Sequence, residues 1–155
     1  MRRSEREITE SAEIESFIAG EKIMRVGFID DGEVYIVPVN YGYTVFGGRY
    51  TFYFHGAVAG RKYGLSLKKP SVGFEIDGGY ELVEAENACG HSARFKSVIG
   101  TGILSIINDE EERKAALECV MKQAAGKTGL EYDSNVLGRT AVFKLDVKTM
   151  SCKAK

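Results

Sequence analysis

Short runs in which apolar and polar residues alternate recur along the first two thirds of the chain, and this two-residue period predicts β-strands. Asp31-Gly32 separates the first two runs, and Asp-Gly in that position is a strong signal for a hairpin. Gly47-Gly48 makes the next turn. The predicted strands cover Ile23–Asp30, Val34–Tyr41, Tyr50–His55, Ser71–Asp77, Phe95–Ile107 and Ala141–Met150. Strands joined by such short turns are antiparallel neighbours.

Two longer helices and one short helix interrupt this pattern. A helix with one apolar face is predicted over Ser11–Ala19. We therefore expect residues 1–22 to form a helical lid that covers an open end of a sheet. Asp109, followed by Glu112, predicts the N-cap of a packing helix within residues 108–126 that ends at Gly126. The apolar stripe of that helix comprises Ala116, Leu117, Val120, Met121 and Ala124. A short helix is expected after Arg61 and Lys62, and Pro70 stops it.

Three local features depart from regular strands. Pro38 has no N–H to donate, so it indicates either a bulge that breaks pairing in mid-strand or an edge strand. Gly100 and Gly102 in one strand indicate a bulge, a barrel corner or the close approach of a ligand. The residues after Met150, SCKAK, are expected to fray.

These elements predict one mainly β domain over residues 1–155, with antiparallel strands and flanking helices. The helices are too few for a bundle, and the hairpin turns exclude a parallel doubly wound sheet. A closed or partly closed barrel is the expected arrangement, because closure removes exposed strand edges.

Composition narrows the possible functions. The 155 residues carry a formal net charge of −1, which favours neither nucleic acid nor membrane surfaces as partners. Cys89, Cys119 and Cys152 are far apart and form no zinc spacing with His55 or His91, so no metal site is predicted. The N-terminus lacks the apolar segment of a signal peptide, and we expect a cytoplasmic protein with reduced thiols.

Tyr50–Lys62 holds the strongest candidate for a binding site. The strand ends at Gly56, and Gly60 precedes the adjacent cations Arg61 and Lys62. Glycines let the backbone approach a ligand closely, and free N–H groups of a helix that begins there would add donors for an anion. The residues alone are equally consistent with a loop that carries a solvated Arg-Lys pair.

Four segments together resemble the flavin-binding split-barrel proteins related to pyridoxamine 5′-phosphate oxidase, and in particular the branch of nitroimidazole-resistance proteins. The segments are IVPVNYGY (36–43), YFHGAVAGRK (53–62), PSVGFEID (70–77) and FKSVIGTG (95–102). The resemblance implies an antiparallel FMN-binding split barrel that forms a homodimer with FMN at the subunit interface. It also implies an oxidoreductase that acts on a small molecule such as a nitroaromatic compound. The loop ACGHSARF lacks a tryptophan that the branch would lead us to expect.

The resemblance also assigns residues to the cofactor. The strand with Val37, Pro38, Val39 and Asn40 would lie along the isoalloxazine ring, and His55, Gly56 and Ala57 would lie at the ring or ribityl chain. Gly60, Arg61 and Lys62 would bind the phosphate, whereas Ser97, Val98 and Gly100 would approach from the long strand. His55 is the candidate for hydrogen bonding or proton transfer to the substrate. Two other readings are a haem-binding protein with His55 or His91 as axial ligand and a non-catalytic flavin-binding module.

Overall fold

The computed structural model describes residues 3–155, and its main feature is one eight-stranded antiparallel sheet. Seven strands follow one another in the order β3-β2-β6-β7-β8-β5-β4, and β1 pairs with β8 beside this path. The strands are β1 (Glu7–Ile8), β2 (Ile23–Asp30), β3 (Glu33–Asn40), β4 (Gly42–Phe46), β5 (Arg49–Ala57), β6 (Ser71–Val83), β7 (Ser92–Ile106) and β8 (Thr140–Ala154). The helices are α1 (Ser11–Gly20), α2 (Arg61–Ser66), α3 (Glu110–Ala125) and α4 (Ser134–Gly138). The prediction of a mainly β, antiparallel fold with flanking helices is confirmed.

The sheet curls around a core without closing on itself. Within residues 3–155 no hydrogen-bonded ladder joins β3 to β4, the two ends of the strand order. The partly closed alternative is therefore correct, and two strand edges stay open. No helix in the same range is long and apolar enough to cross a membrane.

The β2–β3 hairpin forms where the Asp-Gly turn predicts it. Asp31 and Gly32 both adopt positive φ angles, 51° and 85°, as a tight two-residue hairpin turn requires. The register runs without a break from Asp30 and Glu33 to Ile23 and Asn40. The expectation that Pro38 interrupts pairing is therefore wrong, and Pro38 lies on an edge strand, where a missing N–H costs least.

The C-terminal strand is longer than the pattern predicts. Lys153 and Ala154 pair with β7, and Cys152 pairs with both Val98 and Ile8. Cys152 is only 1% exposed because its side chain enters the core between these strands. The predicted fraying of the tail is therefore wrong. β4 was not predicted as a separate strand, because apolar and polar residues alternate there over only a few positions.

The glycines of β7 mark an irregularity, as predicted. The pairing of β7 with β8 shifts between Thr101 and Gly102, where β8 contributes the extra residue Lys148. This is a bulge, which bends the strand and increases its local twist.

The inward face of the curled sheet forms the main core. Its fully buried large side chains come from most strands and from α1: Ile18, Met24, Val26, Phe28, Tyr41, Phe52, Phe54, Ile76, Val98, Leu104, Phe143 and Leu145. From α1, Phe17 and Ile18 are buried and Ile14 packs against the same cluster. The predicted helix is confirmed, and it packs against this core, whereas its role as a lid stays a prediction.

α3 covers the outward face of β4, β5 and β8. Its N-cap is Asp109, whose carboxylate accepts a hydrogen bond from the Glu112 N–H at 2.8 Å. Glu112 does not complete a capping box, because its carboxylate accepts from Lys144 at 3.0 Å. Gly42 lies directly under the helix, and a Cβ there would overlap the Cys119 backbone. Glycine thus lets α3 lie close to β4.

One face of α3 differs from the predicted stripe. Ala116, Leu117 and Val120 are buried as expected, whereas Ala124 is exposed and Gln123 takes the buried position. The Gln123 amide nitrogen lies 2.7–3.1 Å from the carbonyl oxygens of Ile18, Ala19 and Glu21. These carbonyls belong to the end of α1, which lacks partners of its own. A side chain from α3 therefore caps α1.

Among the residues that the structure describes, no helix covers the outward face of β3, β2, β6 and β7. Its large exposed apolar side chains are Ile23, Ile29, Val34, Ile36 and Ile99. Gly27 and Gly73, opposite each other in register, form a shallow depression beside Ile36. We call this surface the bare face.

Candidate functional site

The turn after β5 brings a cation into a half-buried position. Lys62 lies with its Nζ 3.3 Å from the His55 carbonyl oxygen and above the rings of Phe54 and Phe143, at 5.4 and 5.1 Å from their centroids. Burial lowers the pKa of Lys62 below its usual value. The ammonium is still the favoured form at neutral pH, because the aromatic faces and the carbonyl oxygen both attract it. An anion near this turn would meet a positive charge that is poorly screened by water.

Gly56 makes this position of Lys62 possible. A Cβ at residue 56 would lie 2.8 Å from Lys62 Nζ and 3.1 Å from its Cε, which is too close for a real contact. The group beside Gly56 is thus the protein's own lysine, and the predicted approach of a ligand to this glycine stays a prediction.

Arg61 points to a different part of the molecule. Its Nε donates to the Asp30 carboxylate at 2.6 Å, and its guanidinium lies 4.5 Å from the centroid of the Tyr35 ring. Asp30 and Tyr35 belong to the β2–β3 hairpin, so Arg61 bridges the gap between the end of β5 and the β3 edge. Four of the five guanidinium N–H donors remain available after the Asp30 bond. The Asp30 carboxylate therefore orients the Arg61 guanidinium and leaves its other N–H donors free to bind a ligand.

Gly60 precedes both cations and adopts a φ of 92°, a left-handed conformation that favours glycine. The predicted helix begins at the next residue, but it has only six residues. Its free N–H groups add local donors, whereas its dipole is small. The two side chains supply most of the positive charge.

The strand predicted to lie along a flavin is an open edge. Val37 and Val39 turn inward toward the core, whereas Pro38 and Asn40 face outward. The Asn40 amide donates to the Lys22 carbonyl oxygen at 3.0 Å. Because β3 has a neighbour on one side only, the backbone groups on its other side have no strand partner. From Tyr35 to Asn40 this edge runs about 17 Å at about 3.3 Å per residue.

His55 does not face the same region as Val37 and Asn40. Its side chain points to the outer side of β5, where it lines a cavity of about 180 Å³ beneath α3 and α4. Burial, and to a smaller degree the charge of Lys62, lower the pKa of His55 below 6.5. Within residues 3–155 the imidazole has no hydrogen-bond partner, although it remains exposed at the rim. Ala57, at the end of the same strand, is exposed.

The third predicted group is separated from the other two. Ser97, Val98 and Gly100 lie on β7, and β2 and β6 stand between β7 and β3. Three strand spacings amount to about 14 Å. Val98 is buried in the core, and the Phe74 ring occupies the space beside Gly100. Only Ser97 presents a side chain to the outside, so these residues do not join the site around Arg61 within one protomer.

Two groups of residues in this region were not predicted. Asp30 and Tyr35 orient Arg61, and their proximity to it depends on the curl of the sheet rather than on any local pattern. Tyr132 and Val136 line the cavity beside His55. The loop and helix that carry them have too little periodicity to be placed from the sequence. Asp133 is the one residue that could have indicated the start of α4 from the sequence, because aspartate is a common N-cap. Its carboxylate accepts the N–H groups of Asn135 and Val136 at 2.8 and 3.1 Å.

Comparison with known proteins identifies the family. A model of the pyridoxamine 5′-phosphate oxidase family matches residues 10–154. The chain therefore belongs to this family, and the resemblance inferred from the four segments is confirmed. Curated proteins include no match to the chain.

Several solved structures share the fold. A candidate 5-nitroimidazole antibiotic resistance protein from Bacteroides thetaiotaomicron is 29% identical, with a TM-score of 0.81 over 96% of this chain and 86% of that one. The flavocytochrome Anf3 from Azotobacter vinelandii is 21% identical, with a TM-score of 0.81 over 100% and 72% of the two chains. The FAD and heme binding protein from Mycobacterium smegmatis is 16% identical, with a TM-score of 0.83 over 97% and 73%. These similarities confirm the split-barrel fold.

Proposed function

We propose that the chain binds FMN and is a flavin-dependent oxidoreductase that reduces small nitroaromatic compounds. The observation that carries the proposal is the turn at Gly60, from which Arg61 reaches the β2–β3 hairpin and Lys62 lies half-buried over Phe54 and Phe143. Arg61 and Lys62 offer a fork of donors and a point charge, which together suit a phosphate dianion. Membership of the family and the similarity to the Bacteroides protein support the choice of cofactor and reaction class.

The residues present fit FMN on three counts. The edge of β3 is about 17 Å long, which is the length of a flavin mononucleotide with an extended ribityl chain. Backbone groups of alternate residues on this strand point away from β2, and those of Ile36 and Asn40 can hydrogen-bond the polar edge of the ring. Arg61 lies at one end of this edge, against Tyr35 and Asp30. Val37 and Val39 would support the edge rather than bond to the ring, because their side chains turn toward the core and their backbones pair with Val26 and Met24.

When bound, FMN would carry the electrons between a donor and the substrate. The protein's own part is to orient and to shield. Lys62 and Arg61 would hold the phosphate, and the β3 edge would fix the plane of the ring. His55 would hydrogen-bond the substrate, since a neutral imidazole carries both a donor and an acceptor.

The separation of β7 from β3 supports a homodimer. Ser97 lies about 14 Å from the β3 edge of its own protomer, so it could reach a flavin there only from a second copy. The bare face offers the surface for that copy. Ile36 and Ile99 are 59% and 58% exposed on this face, with the Arg25–Glu75 ion pair on the strands between them, and such a mixture of apolar and charged side chains can form an interface. The proposal therefore places the two flavin sites between two chains.

Haem is the second candidate, suggested by two of the structural relatives, and it fits the described residues less well. The cavity beside His55, at about 180 Å³, is too small for a porphyrin. His91 lies in an exposed loop, with Nδ1 2.9 Å from the Asn87 carbonyl oxygen and no apolar wall around it.

An absorption spectrum of the freshly purified protein, followed by release and identification of the chromophore, tests the cofactor. Two broad flavin bands and released FMN are the expected result, and a Soret band would instead establish haem. Protein that is colourless and takes up no FMN on incubation would refute the proposal. For the reaction, reduced holoprotein should be reoxidised by a nitroaromatic compound faster than free reduced FMN. Reoxidation at the rate of free FMN would instead indicate that the protein is a non-catalytic flavin-binding module.

A further inference from the structure

The cavity beneath α3 and α4, which we call the His55 cavity, is a second feature with the properties of a binding site. Leu117, Val120 and Met121 of α3 form one wall, and Val136 and Leu137 of α4 form the other. His55 lies at the rim, on the outward face of β5. The volume of the His55 cavity, about 180 Å³, slightly exceeds the roughly 150 Å³ of an engineered apolar cavity that binds benzene.

The other polar groups of the cavity wall are already engaged within the protein. The Asp133 carboxylate accepts the backbone N–H groups of Asn135 and Val136 at 2.8 and 3.1 Å. The Thr140 hydroxyl donates to the Val136 carbonyl oxygen at 2.8 Å. The Tyr132 hydroxyl lies 3.4 Å from the Glu118 carboxylate. His55 is thus the polar group of this wall that has no partner in the described part of the chain.

The charge state of the wall favours an uncharged occupant. Burial and the positive charge of Lys62 lower the pKa of His55, so its imidazole is mostly neutral at pH 7. Burial raises the pKa of Tyr132, with Glu118 adding to the effect, so its hydroxyl stays protonated. An anion would lose its hydration in this apolar space without gaining an opposite charge, which is costly. A cation would meet only the Asp133 carboxylate, which already accepts two backbone N–H groups.

We propose that the His55 cavity binds a small neutral aromatic molecule, of about the size of a substituted benzene or a five-membered heterocycle, with His55 as its hydrogen-bonding partner. Binding in the cavity needs no flavin, so this inference goes beyond the proposed function and does not rest on it.

Toluene and p-cresol are matched probes, because they differ by one hydroxyl group that can bond to His55. Titration of the full chain by calorimetry, with its flavin content measured, should show both binding, and p-cresol about two- to tenfold more tightly, as one net hydrogen bond allows. His55→Leu should abolish the difference while toluene still binds. His91→Leu, which alters the other histidine of the chain, should leave it unchanged. 4-Methylbenzoate, an anion of similar shape, should bind at least about tenfold more weakly than p-cresol.

A substitution that fills the cavity tests the location. Val136 is 55% exposed on α4, so Val136→Phe can reach into the cavity without disturbing the core, and both neutral probes should bind at least about tenfold more weakly. Unchanged binding in this variant, no binding in the unaltered protein, or a difference that persists in His55→Leu would each overturn the proposal. The same titrations without and with added FMN separate the two proposals. Probe binding in a protein that rejects FMN would refute only the flavin function, and FMN binding without probe binding would refute only the cavity.

Discussion

Replacing Arg61 by alanine tests the phosphate site most directly. The variant loses the Nε bond to Asp30 and the contact with the Tyr35 ring, both at the protein surface. An exposed ion pair contributes about 0.2–1 kcal/mol and an exposed cation–π contact about 0.5–1 kcal/mol. The loss of about 1–2 kcal/mol is small beside the 5–15 kcal/mol of a typical domain, so the variant should fold.

The effect on FMN should be larger. A hydrogen bond to a charged group contributes about 1.5–3 kcal/mol, which corresponds to an FMN Kd about 10- to 150-fold weaker. Arg61→Lys keeps the charge but not the fork, and it should fall between alanine and arginine. Arg49, the exposed first residue of β5, lies at the other end of the same strand, so Arg49→Ala is the matched control.

The assay is quenching of FMN fluorescence during titration with protein, at one fixed salt concentration. Thermal unfolding of each variant shows whether a change in affinity reflects a change in folding. A Kd for Arg61→Ala equal to that of Arg49→Ala, in a folded protein, would refute the phosphate assignment and the orientation by Asp30.

Three further outcomes are expected. Gly42→Ala should lower the free energy of unfolding, measured in urea, by about 3 kcal/mol, because its Cβ overlaps helix backbone that cannot move aside. Gly27→Ala is the control: its Cβ would lie 3.9 Å from the Gly73 carbonyl oxygen, and the same free energy should change by less than about 1 kcal/mol. Asp109→Ala should cost about 1 kcal/mol as an N-cap and leave FMN affinity unchanged, so a large loss of flavin would contradict the assignment of α3 as a packing helix. Because the folded-state pKa of His55 is lowered, the unfolded chain binds its proton first as pH falls below about 6.5, and stability decreases in that range. The Tm of His55→Gln should fall less than that of the unaltered protein between pH 7 and 5, and equal decreases would exclude this contribution.

Most features that could be predicted from the sequence depend on interactions between residues close together in the chain. Asp31-Gly32 fixes a hairpin because few other residues adopt its backbone angles, and Asp109 starts a helix by a bond to a residue three positions away. The family segments then placed Arg61 and Lys62 in one turn. Each of these features depends on contacts within about ten residues.

The features that were missed depend on distant contacts. The tail around Cys152 is ordered only because β1 and β7 flank it. The direction of His55 follows from which face of β5 the core occupies, and the cavity beside it exists only because α3 and α4 cover the other face. The open edge at Pro38 could be stated as one of two alternatives, but the curl of the sheet decided between them.

The amide of Gln123 has a consequence for the order of folding. It caps the end of α1 from a position more than 100 residues later in the chain. The Tyr41 hydroxyl also donates to the Ile18 carbonyl oxygen, at 2.6 Å, whereas the Ala19 and Glu21 carbonyls accept from Gln123. During synthesis α1 therefore leaves the ribosome long before its cap is complete, and a ten-residue helix is marginal alone. We expect the amide protons at the end of α1 to become protected from exchange only when α3 does, so that the first helix of the chain is among the last to become stable.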